Sequence, residues 1–177
     1  MTIRNLLIVL VCFAASILEA TLPMLFPPFL RSLRADLLLA VVLYLALHDE
    51  WVQGAGLSFF AGSLSDLSAA TPPGIYAFLA VLTFVIVRTT ASAFRADGGL
   101  QAGALAFVAS LVHALFATLI FKLLFSGSSL ALHASWLWSA FATGLGAMPI
   151  FALLRRLDES LLPAGETLGP GARARAR

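Results

Sequence analysis

Four ionisable side chains lie inside apolar stretches of this sequence: Glu19, Asp66, His113 and Lys122. A charge in the hydrocarbon of a membrane costs about 3 kcal/mol even on lenient insertion scales, so such residues commonly relay protons or ions, bind a ligand, or pair between helices. Each has a plainer alternative as well. Asp66 and Lys122 can sit at the level of the lipid headgroups, and His113 can be a hydrogen-bonded interior residue.

The remaining reactive residue types are not spaced for enzyme chemistry. The histidines at positions 48, 113 and 133 are scattered, and the single cysteine, Cys12, lies inside an apolar run. A hydrolase needs a base next to its nucleophile or a cluster of metal ligands, and a nucleotide site needs a glycine-rich loop with a lysine. The sequence therefore predicts no catalytic residue, no metal site and no cofactor.

A polar cluster is predicted in the outer half of the membrane if both chain termini are cytoplasmic. In that orientation Glu19 and Asp66 lie towards the outer ends of the first and third spans, and His113 lies near mid-membrane. Acids and bases brought together there would pair, because an unpaired charge in lipid is costly. The candidate members of this cluster are Glu19, Arg31, Arg34, Asp36, His113 and Lys122, with Asp66 as a further acid.

The composition predicts transmembrane helices, and these must position the residues named above. Hydrophobic residues make up 60% of the 177-residue chain and charged residues only 11%, whereas soluble domains carry about 25% charged residues. The sequence therefore predicts an all-α integral membrane protein, a compact bundle of about six transmembrane helices within residues 1–157. The expected spans are about 5–26, 35–47, 51–67, 75–94, 100–125 and 135–154.

The second of these spans is short, since residues 35–47 as a helix cover only about 20 Å, and whether it crosses the bilayer stays open. Residues 158–177 are rich in Pro, Gly, Ala and Arg, which predicts a basic, disordered tail. Arginines concentrate near the N-terminus, before the fifth span and in the tail, and this bias predicts that both termini are cytoplasmic.

A stripe of small and polar residues runs along the third span. Gly54, Ser58, Gly62 and Asp66 recur at every fourth position, which places them on one face of a helix. Small residues at this spacing let another helix approach closely. The approaching helix can belong to a membrane partner, or it can be another helix of the same chain.

The segment that follows this stripe carries a more specific pattern. Residues 62–76 read GSLSDLSAATPPGIY, a glycine-bearing span that ends in an aspartate–leucine pair. A short turn of small residues leads to the start of the next helix, formed by Pro72, Pro73, Gly74 and Tyr76. This arrangement resembles the pattern of the rod shape-determining protein MreD family.

An upstream segment adds to the resemblance. Residues 34–47 read RADLLLAVVLYLAL and are similar to a second stretch of the same family. A proline commonly precedes the aspartate in that family, whereas Ala35 precedes Asp36 in this chain. The resemblance extends over about 45 residues, from Arg34 to roughly Phe78, and length and hydropathy profile extend the likeness along the chain.

The resemblance implies a non-enzymatic component of the bacterial cell-elongation machinery, in the cytoplasmic membrane. Its expected partners are a MreC-like membrane protein, RodA, penicillin-binding protein 2 and membrane lipid, with no nucleic acid. The family is also similar in helix arrangement to the substrate-binding subunits of energy-coupling-factor transporters. The alternative function is therefore a small-molecule-binding transporter subunit, in which the polar cluster would line an enclosed outer cavity.

Overall fold

The structure, a computed structural model, describes residues 3–25, 35–69, 73–90, 99–124 and 135–161. Regular structure in these ranges is helical throughout, as the sequence predicts. The described helices, numbered along the chain, are α1 (Ile3–Leu25), α2 (Leu37–His48), α3 (Trp51–Ala69), α4 (Ile75–Thr90), α5 (Gly99–Leu124) and α6 (Ser135–Leu161).

The surface of these helices is suited to lipid. Of the described helices, α1, α5 and α6 contain segments long and apolar enough to cross a membrane, namely Ile3–Thr21, Gly99–Leu123 and Trp136–Leu161. Large apolar side chains such as Leu67 and Leu123 are exposed on the outside. Such a surface would be costly in water, so the protein is a membrane-embedded helical bundle. The predicted fold class is confirmed.

Helix α2 lies at the centre of the bundle. Its residues from Leu37 to Ala46 are all buried, and it contacts α1, α3, α4, α5 and α6. A helix that is apolar on every side has no face suited to water, and burial on all sides satisfies it. With twelve residues, α2 is about 18 Å long, so it is shorter than the helices that surround it.

Glycines allow two pairs of neighbouring helices to pack closely. A Cβ atom added at Gly62 in α3 would lie 2.5 Å from the carbonyl oxygen of Tyr76 in α4. A Cβ atom added at Gly144 in α6 would lie 2.9 Å from the carbonyl oxygen of Gly103 in α5. A larger residue at either position would push backbone away from backbone.

The small-residue stripe of α3 is part of this internal packing. Ser58 and Asp66 are buried, Gly54 faces the ring of Phe84, and Gly62 faces the backbone of α4. The interpretation of the stripe as a surface for a membrane partner is therefore corrected. Spacing alone could not decide this, because a small-residue face fits a helix of the same chain and a partner helix equally well.

Helix α6 is longer than the sequence predicts. It continues to Leu161, beyond the expected span end at 154 and into the expected tail. In the added turns Arg155 binds Glu159, four residues later, at 2.8 Å, a pairing that supports a helix. The tail boundary at residue 158 is corrected accordingly, and residues 162–177 lie outside the described residues.

Candidate functional site

The start of α2 carries the first polar site. A helix start leaves backbone amides without intrahelical partners, and in a membrane this costs several kcal/mol per group. The Glu19 carboxylate of α1 accepts a hydrogen bond from the Leu38 amide at 2.8 Å. Asp36 accepts one from the Leu39 amide at 2.8 Å, and the Thr143 hydroxyl of α6 accepts one from the Asp36 amide at 2.9 Å.

This helix start lies inside the bundle rather than at its surface. After Glu19, α1 continues for six residues to Leu25, about 9 Å of helix. Thr143 likewise lies eight residues into α6, about 12 Å from the start of that helix. The first amides of α2 thus lie in the interior, away from water. Glu19 of α1 and the preceding Asp36 supply their acceptors, and Thr143 of α6 accepts from the Asp36 amide.

The start of α4 uses the same device. Asp66 of α3 is buried and accepts hydrogen bonds from the amides of Gly74 at 2.9 Å, Tyr76 at 2.8 Å and Ala77 at 3.2 Å. Gly74 has a φ of 102°, which glycine adopts without strain. The aspartate and the proline–glycine turn, which carry the family resemblance, therefore form one structural unit. We call the end of the bundle that holds Glu19, Asp36 and Asp66 the loop end.

The expected polar cluster is only partly described. Pro73 and Gly74 lie in the turn before α4, whereas Pro72, Arg31 and Arg34 lie outside the described residues, so the pairing of the acids with these arginines stays a prediction. Lys122 lies near the end of α5 and is exposed. The acids that the sequence singles out are together at the loop end, where each binds backbone amides.

His113 belongs to the same end and faces the interior. Its ring stacks on Tyr76 with 6.0 Å between centroids, and its Nδ1 lies 3.4 Å from the Thr83 hydroxyl. Its Nε2 is buried and has no hydrogen-bond partner among the described residues. A cavity of about 10 Å³ lies between His113, Asp36, Ser65 and Tyr76, which is close to the space that one water molecule needs.

The second polar site joins residues that are far apart in the sequence, and sequence reasoning missed it. Arg4 of α1 donates to Asp158 of α6 at 2.7 Å and also to Asp49, which follows α2. The Tyr44 hydroxyl donates to the other oxygen of Asp158 at 2.7 Å. This network ties α1, α2 and α6 together. We call the end of the bundle that contains it the termini end.

Burial sets the electrostatics of this network. The side chain of Asp49 is fully buried, and burial raises the pKa of its carboxyl above the ordinary value, an effect that Arg4 opposes. A buried carboxylate needs a cation and hydrogen bonds to offset its lost hydration. Arg4 supplies the cation and one hydrogen bond to Asp49 while it also binds Asp158, and the other carboxylate oxygen of Asp49 has no hydrogen-bond partner among the described residues. In the sequence Asp49 is an ordinary loop charge, and no spacing connects Arg4 with Asp158.

The same end also satisfies the last carbonyls of α2. Arg88 of α4 donates to the Ala46 carbonyl at 3.2 Å, and the Asp49 amide donates to the Leu45 carbonyl at 2.8 Å. A cation at a helix C-terminus also interacts favourably with the helix dipole. Helix α2 is therefore held at both ends by side chains from its neighbours, which fixes its position along the bundle.

Comparison with known proteins gives one match. The family model described as rod shape-determining protein MreD matches residues 1–157, which includes every described residue of α1 to α5 and most of α6. No curated protein and no solved structure matches the chain.

Proposed function

The chain belongs to the MreD family of rod shape-determining membrane proteins, and we propose that it is a non-enzymatic scaffold of the bacterial cell-elongation machinery. In this role it binds a MreC-like membrane protein and works with RodA and penicillin-binding protein 2 in peptidoglycan synthesis. It resides in the cytoplasmic membrane with both termini on the cytoplasmic side.

The use of the intramembrane carboxylates is the observation that carries this proposal. Glu19, Asp36 and Asp66 all accept hydrogen bonds from backbone amides at helix starts. Catalytic and ligand sites need polar groups that converge on a cavity large enough for a substrate. Here the carboxylates hold helices in place instead, which supports a role as a rigid scaffold to which partners bind.

The volume near His113 also favours a scaffold over a transporter subunit. A site for a vitamin-sized molecule has a volume of roughly 300 Å³ or more. The cavity beside His113 and Asp36 has a volume of about 10 Å³. Among the described residues this cavity is too small for such a molecule, which supports the scaffold over the energy-coupling-factor alternative.

The test of the proposal is co-purification combined with a shape assay. The tagged chain is expressed with the MreC-like protein of its own organism, and the native gene is depleted. We expect the MreC-like protein to co-purify with the tagged chain. We expect depleted cells to become round, and the intact chain to restore their rod shape. Rod-shaped growth after depletion, together with no co-purification, would contradict the proposal.

Topology is tested separately by cysteine labelling. The native Cys12 is fully buried, so its background reactivity is low. We expect S128C and R173C to react from opposite sides of the membrane, because one lies between the fifth and sixth helices and the other in the cytoplasmic tail. Labelling of both from the same side would overturn the predicted orientation.

A further inference from the structure

A groove opens at the termini end, where α2, α5 and α6 meet. It has a volume of about 260 Å³, far larger than the cavity near His113. Its inner walls are formed mainly by Ala102, Met148, Phe151 and Ala152. These walls belong to the apolar segments that are long enough to cross a membrane, so the inner part of the groove is suited to a hydrocarbon chain.

The rim of the groove is basic. Arg155 and Arg156 of α6 line it together with His48 and Glu159. Arg155 binds Glu159, and both are exposed. Arg156 is also exposed and has no ion-pair partner within the described residues. Two guanidinium groups and one carboxylate leave the rim with a net positive charge, which is complementary to an anion.

We propose that this groove binds an anionic phospholipid, with its phosphate at Arg155 and Arg156 and an acyl chain against Met148 and Phe151. A guanidinium group binds phosphate through paired hydrogen bonds, and basic pockets between membrane helices suit anionic headgroups. The order of the lining residues matches the order of the lipid. The arginines come at the end of the apolar span, where headgroups lie, and the apolar walls come earlier in the same helix.

The groove and the network at the termini end share one residue, Tyr44. Tyr44 lines the groove, packs edge-to-face on Phe151 with 5.4 Å between ring centroids, and donates its hydroxyl to Asp158. A lipid in the groove would therefore contact a residue of the network that joins α1, α2 and α6. Binding is expected to stabilise that network, since a ligand that binds only the folded state raises the free energy of unfolding.

The test compares lipids on the full chain purified in an uncharged detergent. Dioleoyl phosphatidylglycerol or dioleoyl phosphatidylcholine is added, bound lipid is counted by native mass spectrometry, and the melting temperature is recorded. We expect phosphatidylglycerol to bind preferentially and to raise the melting temperature. Replacing both arginines, R155Q with R156Q, should weaken its binding about thirtyfold.

A second variant tests the apolar part of the groove separately from its charged rim. Ala152→Trp fills the groove and keeps both arginines, so it should also lose the lipid. Leu153→Trp, one residue further along α6 and not part of the groove lining, is the matched control and should bind normally. Lys122→Gln at the loop end controls for charge. All five positions are exposed, and melting without lipid checks that each variant folds.

Three results would overturn the proposal. Equal binding of the two lipids would remove the role of the headgroup charge. Normal binding to Ala152→Trp, with loss only in the arginine variant, would place the lipid on the outer surface instead of in the groove. An equal rise of the melting temperature with inorganic phosphate alone would identify the site as one for a free anion.

Discussion

The two ends of the bundle use carboxylates in different ways. At the loop end Glu19 and Asp66 accept hydrogen bonds from the amides of Leu38 and Tyr76, among others. At the termini end the carboxylates bind the side chain of Arg4 instead. The carboxylates of the loop end thus supply acceptors to helices that begin inside the bundle. The carboxylates of the termini end join helices that are distant in sequence.

This difference determines which substitutions of charged residues each end can tolerate. A backbone amide needs an acceptor but not a charge, so a neutral side chain of the same shape can serve at the loop end. The network at the termini end consists of opposite charges, and removal of Arg4 would leave Asp49 and Asp158 without the cation that both of them bind. The comparison therefore predicts a large penalty for charge loss at one end and a small one at the other.

The largest effect is expected for Arg4→Met. Breaking a buried ion pair by removing one partner typically costs about 3–5 kcal/mol, and Asp49 is fully buried beside Arg4. We expect a loss of free energy of unfolding of about 3 kcal/mol, measured by denaturation in mixed micelles. Lys122→Met is the control, because Lys122 is exposed near the end of α5 and exposed charges contribute less than about 1 kcal/mol.

A triple variant sharpens this prediction. Arg4→Met with Asp49→Asn and Asp158→Asn removes both the cation and the carboxylates. If uncompensated charge is the cause of the loss, the triple variant should be more stable than Arg4→Met alone. A triple variant that is less stable than the single one would show that Arg4 acts mainly through packing.

The second effect concerns Asp66 at the loop end. Asp66→Ala leaves three amides at the start of α4 without an acceptor, and we expect a loss of about 2 kcal/mol. Asp66→Asn keeps one carbonyl oxygen in place and should cost about 1 kcal/mol. The same denaturation measurement decides the ordering. If Asn were as damaging as Ala, the charge rather than the acceptor would be essential, and the contrast between the two ends would fail.

The sequence predicts some of this arrangement because its causes are local. Apolar runs separated by polar breaks predict the helices, and the aspartate–proline–glycine segment indicates the unit formed by Asp66 and Gly74. These features depend on neighbouring residues, so they are readable from one sequence.

The remainder depends on which helices meet, and that is not local. Arg4 and Asp158 are 154 positions apart, and both occur among other charges at the ends of apolar runs. Nor does the sequence show which helix packs against the Gly54–Gly62 face. A glycine stripe indicates close approach but not the identity of the approaching helix. The acceptor role of Glu19 follows only once α2 is known to begin inside the bundle.

The third prediction tests this role of Glu19. Glu19→Ala removes the acceptor of the Leu38 amide, and we expect a loss of about 1–2 kcal/mol. Glu19→Gln keeps an acceptor oxygen and should cost less than half of that amount. Denaturation in mixed micelles gives both values. A larger loss for Gln than for Ala would show that the negative charge is needed at this position, which would contradict the proposed acceptor role.

The smallest effect is expected at Thr143, and it isolates one hydrogen bond. The Thr143 hydroxyl accepts from the Asp36 amide and donates to the Ser139 carbonyl of its own helix, at 2.9 Å in each case. Thr143→Val keeps the shape and removes the hydroxyl, so we expect a loss of about 0.6 kcal/mol, the mean for side-chain hydrogen bonds between membrane helices. Thr118→Val is the matched control, because within the described part of the chain the Thr118 hydroxyl bonds only to the Ala114 carbonyl of its own helix. Equal losses for the two valine variants would show that the contact across helices adds nothing, and that the start of α2 is held by Glu19 and Asp36 alone.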